Sequence, residues 1–149
     1  MSGDPFEVFR PRRGRYVATA LAVASVAVFT GIGLVIPDNA LMQWGVGDRF
    51  FFASIGWVLA AVFWRYATIK AVPDREGLVV RNLFLTRRLP WAQIVGMQFG
   101  HGMPWPSLEL SDTDQVAVMG IQRADGPRSL TEASRLAALI QALGEAREP

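Results

Sequence analysis

The stretch Tyr16–Ile36 holds 21 residues without a charge, preceded by Arg10, Arg12, Arg13 and Arg15. As a helix rising about 1.5 Å per residue it is roughly 31 Å long, which matches a bilayer hydrocarbon core of about 30 Å. Arginines flanking one end of a span hold that side in the cytoplasm. Residues 1–15 therefore read as a cytoplasmic basic lead-in and residues 16–36 as a first transmembrane helix.

Pro37, Asp38 and Asn39 end this run, and residues 37–49 form a connection containing Trp44, Gly45 and Gly47. The next apolar run, Phe50–Trp64, is weaker: its 15 residues cover only about 22 Å. It extends over 50–69 if Arg65 snorkels to the interface beside Trp64 and Tyr66. Gly56 and Ala60 supply a small-xxx-small pair that could face a stripe of Ala20, Ala24, Ala27 and Gly31 on the first helix. The abundance of alanine accounts for that stripe equally well.

Two spans make a hairpin with both outer flanks on one side. Arg65, Lys70 and Arg75 follow the second span, and the connection holds only Arg49. The expectation is a multi-pass protein, integral to the lipid bilayer of the plasma (inner) membrane, with its C-terminal domain cytoplasmic. The competing reading is a secretory signal peptide, although the first run exceeds the usual apolar region of about 7–15 residues and no A-x-A-like site follows it. If the second run were a core helix instead, the C-terminal domain would be exported.

Past the spans about 80 residues remain, enough for one small core. Residues 69–149 carry nine basic and nine acidic side chains. A neutral domain argues against a nucleic-acid partner, whose binding rests on a basic face. The chain has no cysteine, which removes disulfides, thiol nucleophiles and cysteine metal sites.

The pattern of residues 69–149 is short alternating runs punctuated by turn residues. Gly77–Leu83 and Leu85–Leu89 read as strands. Pro90 interrupts the pairing, and Trp91–Ile94 reads as a single helical turn or corner. Val95, Met97 and Phe99 fall on one face of a further strand. Gly100–Pro106 is a loop, Leu108 and Leu110 mark a strand, Asp112–Asp114 a turn, and Val116 begins a returning strand that runs to about Ile121. An Asp125-Gly126-Pro127 breaker precedes a helix over 129–143, with Ser129 and Glu132 spaced as a capping box and Leu136, Leu139, Ile140 and Leu143 as its apolar stripe. The fold class expected is two N-terminal transmembrane helices plus a small β-rich domain, built as antiparallel sheets or a part-closed barrel and capped by a C-terminal helix.

The segments Gly77-Leu78-Val79-Val80-Arg81-Asn82 and Thr86-Arg87-Arg88-Leu89-Pro90-Trp91-Ala92-Gln93-Ile94 resemble the bacterial pleckstrin-homology-like (PH-like) family typified by low-molecular-weight protein antigen 6 of actinobacteria. The resemblance runs roughly from Ile69 to Leu143, and Arg87–Ile94 is its most specific piece. It implies two nearly orthogonal antiparallel sheets closed by a C-terminal helix, behind one or two membrane spans. Such a domain has seven strands, so one is expected near Ile69–Pro73 or Met119–Gln122. The family carries no shared enzymatic activity or ligand site, so the resemblance transfers no functional residue.

Candidate chemistry is sparse. His101, the only histidine, sits in a loop between two glycines; Glu109 or Asp112 could orient it as a base, but a solvated loop histidine is the commoner case. No catalytic, cofactor-binding or metal-ligating residue is expected, and no cofactor. Arg81, Arg87 and Arg88 surround one hairpin and could contact a lipid headgroup, because a guanidinium donates two hydrogen bonds to phosphate. Strand alternation should split them between faces. Trp105, between two prolines, reads as a core plug, with a peptide- or membrane-contacting loop tip at Met103–Pro106 as the alternative, and Trp91, after Pro90, reads as core. The functional expectation is a non-enzymatic protein-interaction or scaffolding module with an unidentified protein partner. A homo-oligomer is compatible with it, an anionic headgroup sensor is its alternative, and residues 69–149 alone are expected to fold.

Overall fold

In this computed structural model residues 3–37 and 43–144 are described, and they divide into two compact units, residues 1–15 with 68–149 and residues 16–67. Asp38 and Asn39 lie outside the described residues.

The helical unit is formed by α1, Arg13–Val35, and α2, Val46–Ala67, both long and apolar enough to cross a membrane. The second helix starts four residues before Phe50, so its 22 residues span about 33 Å and its shortness disappears. The added turn carries Asp48 and Arg49. Arg49 reaches back to α1 and donates to the carbonyls of Gly33 (2.8 Å), Leu34 (3.3 Å) and Ile36 (2.8 Å). Those carbonyls are the ones a helix C-terminus leaves without partners, and a cation there also complements the helix dipole.

The face of α1 that packs is not the one expected. Ala18, Ala22 and Gly33 are buried, whereas Ala20, Ala24 and Ala27 are exposed and Gly31 half-buried. Gly56 does lie at the contact: a Cβ there would stand 2.5 Å from the Phe29 Cβ and 2.6 Å from the Ser25 carbonyl oxygen. Ala18, Ala22, Ser25, Phe29 and Gly33 share one face by their three- and four-residue spacing. The aromatic Phe29, too large for a small-residue pattern, belongs to the seam and stacks on Phe52 at 5.1 Å between centroids.

The other unit holds two three-stranded antiparallel sheets. The first has β1 (Lys70–Pro73), β2 (Gly77–Arg81) and β3 (Thr86–Pro90) in sequence order; the second has β4 (Ile94–Gln98), β5 (Ser107–Leu110) and β6 (Gln115–Ala117). A 3-10 turn at Trp91–Gln93 joins the sheets, and α3 (Pro127–Gly144) follows. β1 is the strand expected near Ile69–Pro73, and Met119–Gln122 forms none. Pro90 does not interrupt pairing: it ends edge strand β3 opposite Gly77, where a missing N–H costs nothing. β6 stops at Ala117, short of Ile121. The capping box does not form either. Pro127 takes the first helical position, the Ser129 hydroxyl donates to the Gly126 carbonyl, and Glu132 pairs with Arg128 and Arg135.

Leu78, Val80, Leu89, Trp91, Ile94, Leu108, Leu110, Val116, Val118, Ile121, Leu136 and Leu139 close the core, and Phe9 joins them with none of its surface exposed. Phe9 and Ala71 exchange both backbone hydrogen bonds at 2.9 Å. Arg135 lies over the Phe9 ring at 3.9 Å and donates to the carbonyls of Pro5 and Glu7. The lead-in is thus part of the β domain rather than a separate segment, and a chain beginning at residue 69 would lack a core side chain. Gly120 permits this: a Cβ there would stand 2.8 Å from the Ala71 nitrogen and 3.0 Å from the Phe9 oxygen.

Candidate functional site

Register decides where the three arginines go. Val80 opposes Arg87 and Leu78 opposes Leu89, so Arg87 shares the core-facing side of the first sheet; Arg81 and Arg88 share the other side with Val79. Arg87 pairs with Asp114 at 3.3 Å, and Arg88 with both Asp74 and Glu76 at 3.1 Å. Arg81 makes no ion pair among the described residues and lies directly opposite Lys70. The three do not converge, and two of them already face carboxylates that a phosphate would have to displace.

His101 is exposed in the β4–β5 loop. Glu109 accepts from Gln98, and Asp112 accepts from Gln93 and from the Asp114 backbone N–H, so neither carboxylate orients the imidazole. That loop is instead held by Arg123, which donates to the carbonyls of Met103 (2.8 Å) and Gly100 (2.5 Å) and covers the Phe99 ring at 4.5 Å. Trp91 is a core residue whose indole N–H donates to the Asp74 carbonyl at 2.8 Å; Trp105 is only half-buried. Among the described residues no three metal-ligating side chains cluster.

A concave feature of the domain lies elsewhere. Ile94, Val95, Met97, Ala137, Ile140, Gln141 and Gly144 line an open groove of about 350 Å³ between edge strand β4 and α3. Val95 is 63% exposed there because the β4–β5 register slips between Ile94 and Gly96. This bulge also overturns the expected single face of Val95, Met97 and Phe99: Ile94 takes the core position, and Val95 turns outward. The alternation of the sequence gives no sign of the bulge, and Gly96, with the Glu109 side chain 3.0 Å from where its Cβ would stand, is the only local hint.

Two small antiparallel sheets and a C-terminal helix give this unit a PH-like fold, and a family model described as bacterial PH domain matches residues 71–138. The chain is also similar to an uncharacterized protein of Mycobacterium bovis and to two uncharacterized proteins of Mycobacterium tuberculosis. Each is 27% identical over 123 residues, covering 83% of this chain and 79% of the relative. That span necessarily extends beyond 71–138 into the helical half. No solved structure gives a significant match.

Proposed function

We propose that the chain is a membrane-anchored, non-enzymatic interaction module, with the helical pair crossing the plasma membrane and the PH domain on the cytoplasmic side. The apolar side chains of α1 and α2 point mainly outward, as they do where lipid is the solvent. The Phe9–Ala71 pairing supports an even number of crossings: α1 begins four residues after Phe9, and α2 ends four residues before Ala71. A single crossing would separate two segments that share hydrogen bonds. The arginine-rich flanks support a cytoplasmic location for this shared side.

The observation that carries the interaction role is the β4–α3 groove. It joins an apolar floor to a strand whose outer edge is not paired within the sheet, the arrangement that accepts an extended peptide as an added strand. The occupant is a protein segment with alternating apolar side chains. Selection of displayed peptides against the full chain in lipid nanodiscs tests this. Binders should carry that alternation and lose at least about tenfold affinity on Val95→Asp. Binders indifferent to Val95→Asp would remove the groove, and substrate turnover by the full chain would remove the non-enzymatic reading. The headgroup-sensor alternative is left with Arg81, since Arg87 and Arg88 are already paired.

A further inference from the structure

The turn between β2 and β3 departs from the burial pattern of its domain. Phe84 is 87% exposed and Leu85 68%, more than any other large apolar side chain of that unit among the described residues. Two adjacent exposed apolar side chains form a contiguous patch, the kind of surface that marks a contact rather than a scattered single residue. The turn is also held firmly. The Asn82 N–H donates to the Leu85 carbonyl (2.9 Å), the Asn82 amide donates to the Ala117 carbonyl (2.7 Å), and its oxygen accepts the Met119 N–H (3.2 Å). Phe84 and Leu85 are therefore presented on a fixed base.

A second observation concerns charge. Lys70 and Arg81 sit directly opposite each other across β1 and β2, at the end of the hairpin from which this turn projects. Like charges so placed repel, and neither takes part in an ion pair among the described residues, in contrast to Arg87, Arg88, Arg128 and Arg135. The pair lacks an anion. A third observation is tethering: Lys70 is the third residue after Ala67, the last of α2, a reach of at most about 10 Å.

We propose that Phe84 and Leu85 insert into the interface of the bilayer that α1 and α2 cross, with Lys70 and Arg81 against anionic lipid phosphates. The inference rests on the membrane-spanning reading above. Apolar side chains flanked by cations suit the headgroup boundary, where the rings leave water and the charges meet phosphate. The tether keeps this end of the sheet within reach of the same bilayer, which favours lipid over a protein as the occupant. The two contacts together would fix the domain's orientation on the membrane and leave the β4–α3 groove as a separate surface.

Because the chain has no cysteine, one substitution gives one labelling site. Nitroxide labels at Phe84→Cys, Val58→Cys on α2 and Arg75→Cys in the β1–β2 turn are compared in the full chain, reconstituted in phosphatidylcholine–phosphatidylglycerol vesicles. Positions 58 and 84 should relax with lipid-soluble oxygen and position 75 with a water-soluble nickel chelate. A label at Thr86→Cys should gain severalfold in nickel accessibility when Phe84→Ser and Leu85→Ser are combined. The same gain should follow Lys70→Glu with Arg81→Glu. Nickel access at 84 with oxygen access at 58 overturns the insertion and leaves the spans standing. Nickel access at 58 overturns the spans themselves. Shielding of 84 from both reagents identifies a protein cover, a second copy or a partner, and also overturns it. Indifference to the charge reversals removes the phosphate contacts.

Discussion

In the β domain the apolar side chains lie inside: Leu78, Val80, Leu89 and Leu108 are essentially closed to solvent. In the helical pair the same residue types lie outside, with Leu34 and Phe50 each 74% exposed and only Ala18, Ala22, Gly33 and Gly56 buried. The contrast reflects two different driving forces. The sheets gain by removing apolar area from water, at roughly 25 cal/mol per Å². On the membrane-spanning reading proposed above, the helices have no such gain and associate where small residues let backbones approach and where a donor such as Arg49 meets free carbonyls. Residue type alone therefore says little about position here: the same side chains are closed in one unit and exposed in the other.

The comparison is most exposed to attack at Phe9, which leads into the helical unit by sequence but belongs to the other core. Phe9→Ala in the full chain should cost about 3–5 kcal/mol of domain stability, read by chemical denaturation in detergent micelles. Removing residues 3–12 should do at least as much. A domain of residues 69–149 as stable as the full chain would show that Phe9 is decorative. On the helical side, Gly56→Leu should cost about 1–3 kcal/mol of hairpin association, because Phe29 and the Ser25 carbonyl occupy the added volume. Ala24→Leu, on the exposed stripe, should be neutral in the same measurement, and equal effects would mean that the contact face is wrongly identified.

Smaller effects sharpen the boundary between the units. The Asp125 carboxylate accepts the backbone N–H groups of Arg12 and Arg13, each at 2.9 Å, which caps the start of α1 from a loop more than a hundred positions away. Asp125→Ala should lower domain stability by about 1 kcal/mol, as loss of a helix cap does, with Asp125→Asn retaining part of it. Thr113 holds φ at 69°, a conformation that a β-branched residue resists. Thr113→Gly should leave the fold unchanged and raise the melting temperature slightly, a gain of about 1 kcal/mol or less. Arg88→Ala, which removes an exposed pair, should shift stability by no more than about 1 kcal/mol.

Much of this architecture was legible in order and type. Strand alternation located β2, β3 and β5 to within a residue or two, the apolar stripe located α3, and the uncharged run located α1. What escaped has physical causes. Phe9 and Val8 form too short an apolar segment to signal a strand, and their partner Ala71 lies beyond both helices. The face of α1 was hidden because every side of that helix is apolar, so no periodicity marks the seam. The bulge at Val95 is a register property that needs β5 to become visible. The split of the three arginines followed from alternation, but the carboxylate partners of Arg87 and Arg88, Asp114 and Asp74 with Glu76, come from two other turns.

The strand pairing at Phe9 and Ala71 has a consequence for biogenesis. A ribosome releases the first half of this pairing before the first helix and the second half only after the second helix, and Arg135, which grips Glu7, emerges 128 positions after that partner. If the helices cross the membrane as proposed, the β domain can close only in chains whose two helices have already entered the bilayer and returned. A molecule with a stranded second helix would keep its phenylalanine plug in the wrong compartment and leave a core with a missing piece, open to proteolysis. On that reading, completion of the β fold would act as a built-in inspection of membrane insertion.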